Sequence, residues 1–121
     1  MAALPMLLAS RGRVAVLSSV SGFAPLVHRT AYSAGKHELH GYFDSLRAEL
    51  DGAVSVTIVA PSFVATGIED RAAFRAAGGA GAWSTTGVVS TPQAVARVIV
   101  DGMARRRRLV LPSRTARLAY V

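Results

Sequence analysis

Short apolar runs alternate along this chain with longer amphipathic stretches, and that alternation restricts it to an α/β fold in which helices cross between parallel strands. Three runs read as strands: residues 14–17, the β-branched run 54–60, and the brief run 109–111. Two helices separate them. The first covers residues 31–50, with Ala31, Ala34, Leu39, Tyr42, Phe43, Leu46 and Leu50 near helical spacing and Asp51-Gly52 as its stop. The second starts at Thr91-Pro92, a capping hydroxyl followed by proline at the first helical position, and directs Val95, Val98, Ile99 and Met103 to the core. Residues 4–8 read as the end of a further helix. The glycine-rich stretch 67–90 is too loose for one long helix and too long for an ordinary connection.

Composition narrows the function classes. With 121 residues the chain is a single domain at most, and with no cysteine it has no disulfide framework and no cysteine-ligated zinc or iron–sulfur site. Apolar residues at 51% and charged residues at 17% supply a core and exclude a disordered polar tail. No apolar run approaches the roughly 18 residues of a membrane span, and the opening residues lack the basic-first order of a secretory signal, so the expectation is a soluble, cytoplasmic protein. The net charge of +7 comes from fourteen basic residues, all arginine but Lys36. Four of them form the run 105–108, read as a solvated helix terminus whose cations complement the macrodipole. The arginines lack interleaved stacking aromatics, so no nucleic-acid partner is expected.

The chemistry gathers where open parallel sheets place it, outside the carboxyl ends of the strands. Ser18 and Ser19 end the first strand; Tyr32 and Lys36 lie four residues apart at the start of the first long helix and so share a face. A tyrosine hydroxyl ordinarily titrates near about 10, so it serves as a base at neutral pH only beside a cation, which Lys36 supplies. A serine hydroxyl at the strand end would hold a substrate oxygen beside it. His37-Glu38-Leu39-His40 places its histidines three apart where a zinc-protease helix needs four, so no metal site is expected. His28 reads as a surface histidine. No Gly-x-Ser-x-Gly elbow supports a serine hydrolase.

Four segments in order, residues 17–22 (Leu-Ser-Ser-Val-Ser-Gly), 31–36 (Ala-Tyr-Ser-Ala-Gly-Lys), 45–50 (Ser-Leu-Arg-Ala-Glu-Leu) and 60–66 (Ala-Pro-Ser-Phe-Val-Ala-Thr), resemble the short-chain dehydrogenase/reductase family, including the thirteen-residue interval from Ser19 to Tyr32. The resemblance implies a Rossmann-like, doubly wound parallel sheet and hydride transfer between NAD or NADP and a small-molecule alcohol or carbonyl. By position, Tyr32 would be the general acid/base, Lys36 would lower its pKa and hold the nicotinamide ribose hydroxyls, and Ser19 would orient the substrate oxygen. The segment of Pro61, Ser62, Val64 and Thr66 would bind the nicotinamide carboxamide. Residues 67–90 match the family's substrate lid, and a homo-oligomer is the default expectation. Two departures stand out. Ser62 occupies a position where the family favours glycine. The chain also lacks the glycine-rich phosphate turn and the family's asparagine segments, having no asparagine at all. The expectation is therefore one partial domain, residues 1–121, lacking the amino-terminal cofactor half and inactive in isolation. The alternative is a non-catalytic remnant that pairs through the helix 31–50 and an exposed sheet edge.

Overall fold

The computed structural model describes residues 2–65 and 88–121. Over these the order is α1 (Leu4–Ala9), β1 (Arg13–Leu17), a 3₁₀ turn (Val20–Gly22), α2 (Thr30–Glu49), β2 (Ser55–Val59), α3 (Pro92–Ala104), β3 (Leu109–Val110) and α4 (Arg114–Ala119). The strands form one parallel sheet in the order β1-β2-β3, with Val16 opposite Ile58 and Val59 opposite Val110. This is the α/β arrangement of three parallel strands with flanking helices that the alternation implies.

β2 is the centre of the core because its run of β-branched residues suits a strand covered on both faces; all five of its residues are buried. On one face Val16, Val56 and Ile58 pack against Leu39, Phe43 and Leu50 from the α2 side. Each such side chain, fully buried, contributes about 1.5–3 kcal/mol. On the other face α3 lies over the sheet. There Val95 and Gly102 are buried, and Gly102 approaches Val110 so closely that a Cβ would stand 2.4 Å from its Cγ2. Val98 departs from expectation. It is 37% exposed, because the inward line of α3 runs through Val95, Ile99 and Gly102 and leaves Val98 on the rim of a cleft of about 470 Å³ between α3, β3 and α4. Along α2, Ala31, Ala34 and Tyr42 also face outward, while Leu39, Phe43, Leu46 and Leu50 are half-buried.

Helix ends follow local rules. Thr91 accepts from the Ala94 amide at 3.2 Å with Pro92 in the first turn, as its sequence implies. α3 closes with the Arg106 amide on the Met103 carbonyl and the Arg107 amide on that of Gly102, a double closure that puts Arg106 at φ 52. The arginine run is thus an exposed helix terminus, with Arg105 also bonded to Asp101 at 2.8 Å. α1 closes the same way through Arg11, whereas α2 ends with the Asp51 amide on the Ala48 carbonyl at 3.3 Å, Asp51 at φ 42 and Gly52 at φ 79. α4 has no counterpart in the sequence reading. Ser113 caps it, accepting from the Ala116 amide at 3.1 Å, and Ala116 is fully buried. No helix among the described residues is long and apolar enough to cross a membrane.

Candidate active site

The pairing of β1 and β2 continues beyond their ends and builds the site's floor. The Ser18 amide donates to the Val59 carbonyl at 2.8 Å and the Val20 amide to that of Pro61 at 3.1 Å, so the chain leaving β1 runs beside the chain leaving β2. Ser18 is buried, and its hydroxyl donates to the Lys36 carbonyl at 3.3 Å. In return the Lys36 ammonium donates to the Leu17 carbonyl at 2.9 Å. Two hydrogen bonds therefore pin the first turns of α2 to the end of β1, each across eighteen or more positions of sequence. They also separate the two serines: Ser18 is spent on the scaffold, and half-buried Ser19 makes no bond to α2. Ser19 has extended backbone and caps the 3₁₀ turn, its Oγ accepting from the Ser21 amide at 3.2 Å.

Tyr32 and Lys36 come together as their spacing requires. The Lys36 Nζ stands 5.7 Å from the centroid of the Tyr32 ring. A second cation, which the sequence reading missed, lies near the same ring: the Arg29 guanidinium carbon is 5.6 Å from its centroid. Spacing offers a faint signal for it, since residues three apart at a helix start share a side. Positive charge near an aromatic face contributes about 0.5–1 kcal/mol at an exposed site. The ring is 42% exposed and therefore reachable. Ser19 and Tyr32 make no direct hydrogen bond to each other.

The segment after β2 supplies backbone. Pro61 is buried, with its carbonyl engaged by Val20. Ser62 does not adopt positive φ, so serine stands there without the penalty that a left-handed position would impose. Val64 pairs in parallel with Ser90, fixed by the Ala65 amide on the Ser90 carbonyl at 3.0 Å and the Ser90 amide on that of Phe63 at 2.9 Å. Thr66 lies outside the described residues, as does the stretch 67–87 of the glycine-rich segment. His28 is exposed, at φ 62.

His40, one helical turn past Lys36, is turned inward. Its ring meets Phe23 edge-on at 6.1 Å, and burial lowers its pKa from the ordinary 6.5, with nearby Asp44 opposing the shift and His37 and Arg47 adding to it.

A model of the short chain dehydrogenase family matches residues 1–75, more than half of the chain and all of the segment that holds these groups. The chain belongs to the short-chain dehydrogenase family. Among curated relatives, "Dehydrogenase/reductase SDR family member 7B" of Xenopus laevis is 36% identical over 103 residues, covering 84% of this chain and 32% of that protein. "Dehydrogenase/reductase SDR family protein 7-like" of Anopheles gambiae is 34% identical over 123 residues, covering 98% of this chain and 39% of that one. Over a shorter stretch of 64 residues, "11-beta-hydroxysteroid dehydrogenase-like 2" of Arabidopsis thaliana is 38% identical, covering 53% of this chain and 21% of that one. A structure described as a short-chain dehydrogenase from Novosphingobium aromaticivorans superposes with a TM-score of 0.68 over 97% of this chain and 40% of that one, at 14% identity, a likeness of fold alone. This short-chain dehydrogenase sequence thus spans about a third of the length of the relatives it matches.

Proposed function

We propose that this chain carries the proton-transfer site of an oxidoreductase that moves a hydride between NAD(P)(H) and a small alcohol or carbonyl compound, with Tyr32, Lys36 and Ser19 as its working groups. The observation that carries this reading is the Lys36 ammonium, bonded to the Leu17 carbonyl at 2.9 Å and 5.7 Å from the Tyr32 ring, at the carboxyl ends of parallel strands. The names of the relatives support the same reaction class. The donor set suits a nicotinamide riboside. An ammonium has three protons and the Leu17 carbonyl takes one, leaving donors for ribose hydroxyls. The backbone between Pro61 and Ala65 offers peptide groups to a carboxamide. Bound there, the cofactor supplies the hydride acceptor or donor.

The chain's own residues do the rest. Ser19 holds the substrate oxygen through its hydroxyl, and Tyr32 takes the alcohol proton in oxidation or returns it to the carbonyl oxygen in reduction. Lys36 and Arg29 place positive charge beside the Tyr32 ring while its oxygen is deprotonated. Lys36 does this from a fixed position, because its side chain and its carbonyl are both tied to the end of β1.

The test replaces the matching segment of the Xenopus laevis relative with this chain and titrates the chimera with NADPH and NADH by fluorescence. Saturable binding of either, weakened at least tenfold by Lys36→Ala with circular dichroism unchanged, is the expected result. Binding of the same strength in the Lys36→Ala variant would remove the lysine from the cofactor site. A second reading, a pairing module without turnover, has in its favour the edge of β1, which no other strand covers among the described residues and where Leu17 is 56% exposed, and an α2 with no fully buried residue. Under it, neither Lys36→Ala nor Tyr32→Phe changes any cofactor-dependent signal.

A further inference from the structure

The His37-to-His40 motif plays no part in the proton-transfer scheme, yet His40 packs against the turn that follows Ser19. The turn crosses α2 at Gly22. A Cβ built there would stand 2.7 Å from the His40 Nε2 and 2.7 Å from the Ser18 Oγ, so imidazole, glycine and scaffold serine occupy one tight junction with no space for a further methyl group. The imidazole also meets the Phe23 ring edge-on at 6.1 Å, and Phe23 in turn meets Tyr120 at 5.0 Å. His40 Nε2 is buried with no hydrogen-bond partner among the described residues, while Ser18 already donates its proton to the Lys36 carbonyl.

We propose that His40 is a positioning residue: its neutral imidazole, wedged against Gly22, holds the Ser19-bearing turn onto α2 one helical turn from Lys36. The proposal rests on the reading of Ser19 and Lys36 as site residues. The neutral form is required because the buried Nε2 makes no hydrogen bond in this junction, so an imidazolium there would be an uncompensated buried charge. The groups that face the ring do not change this. On α2 these are His37, Asp44 and Arg47; Asp44 alone favours the charged form, and it is paired with Arg47. From the turn come the Ser18 hydroxyl and Phe23, and beyond Phe23 the Tyr120 ring. Acid therefore loosens the turn, and with it the placement of Ser19, before it disturbs the sheet.

The test is amide hydrogen exchange on the 121-residue chain, with protection factors at Gly22, Phe23 and Ala24, whose amides hold the turn on the carbonyls of Ser19 and Val20. Histidine resonances are followed over the same pH range. In the wild type, protection at these three amides falls at least tenfold as the His40 ring titrates, while β2 amides keep theirs. His40→Gln, whose amide is uncharged at every pH and can present its oxygen to the junction, retains protection across the range. His40→Ala loses it at every pH. Equal protection in His40→Ala and wild type would overturn the positioning role, as would a wild-type acid response that persists unchanged in His40→Gln. Should the alanine variant fail to fold, the comparison of glutamine with wild type decides alone. The readout uses no cofactor or substrate, so it stands or falls separately from the proposed oxidoreductase chemistry.

Discussion

Replacing Gly102 with alanine puts the packing of α3 on the sheet to a quantitative test. In a solvent-exposed helix interior the change is favourable by about 1 kcal/mol, because alanine restricts the unfolded backbone. Here the new methyl would lie 2.4 Å from the Val110 Cγ2. Carbon atoms pack at about 3.5–4.0 Å, so helix and strand must separate by roughly 1 Å or more. Val110 is only 5% exposed and sits in a two-residue strand bonded to β2, with the Ala60 amide on its carbonyl at 3.0 Å, so it has little freedom to retreat. Overpacking of this kind costs about 1–3 kcal/mol, and the overlap places Gly102→Ala toward the upper end, for a net loss of about 1–2 kcal/mol. Two controls fix the interpretation. Gly41→Ala, where a Cβ would meet nothing within 4 Å, raises stability by about 1 kcal/mol. In a Val110→Ala background, which removes the obstructing methyl, Gly102→Ala turns neutral or stabilising. Urea unfolding followed by circular dichroism gives all the values. A Gly102→Ala protein as stable as the wild type, or a penalty undiminished by Val110→Ala, would refute the reasoning.

Other outcomes follow from the same geometry. Thr57 is 1% exposed and its hydroxyl has no hydrogen-bond partner among the described residues, so the near-isosteric Thr57→Val should raise stability by about 1–2 kcal/mol in the same urea assay. Arg47 ties α2 to the sheet, donating from Nε to the Val56 carbonyl at 3.0 Å and from Nη2 to the Arg108 carbonyl at 3.1 Å; Arg47→Met should cost about 2 kcal/mol, with Arg47→Lys restoring only part of it. The pH dependence of unfolding should carry the mark of His40. Its folded-state pKa lies below the ordinary 6.5, so the unfolded chain binds more protons between the two values. The contribution is therefore fully present above 6.5 and is lost as pH falls through the folded value. Thermal melts from neutral to mildly acidic pH should show a shallower loss in His40→Gln than in the wild type.

Much of the fold was legible because its signals are local. The β-branched run of β2 is covered on both faces, and such a strand needs no alternation to be recognised. Thr91-Pro92 and Asp51-Gly52 mark helix boundaries by cap chemistry that acts within a few residues. The Tyr32–Lys36 pair was legible from helical spacing, and the segments around it brought the family into view. What stayed hidden depends on contacts across long stretches of chain. The resemblance singled out Ser19, but residue spacing alone did not show that Ser18 belongs to the scaffold, which rests on a bond to the Lys36 carbonyl eighteen positions away. Val98 matched the helical period of α3, but the helix turns a line ending in Gly102 toward the sheet because only a glycine admits Val110 so closely. α4 escaped notice because its one fully buried residue, Ala116, creates no apolar periodicity. The inward turn of His40 follows from a glycine in another element, where the motif itself suggested only a failed metal site.

The central claim is that Tyr32 moves the proton. Its most direct test is turnover of the chimera, followed through loss of the reduced-nicotinamide absorbance with a small carbonyl substrate, in wild type and Tyr32→Phe. Removal of the hydroxyl should lower kcat by about 10²–10⁴-fold, leaving cofactor affinity and circular dichroism unchanged. Full turnover in Tyr32→Phe would contradict the account.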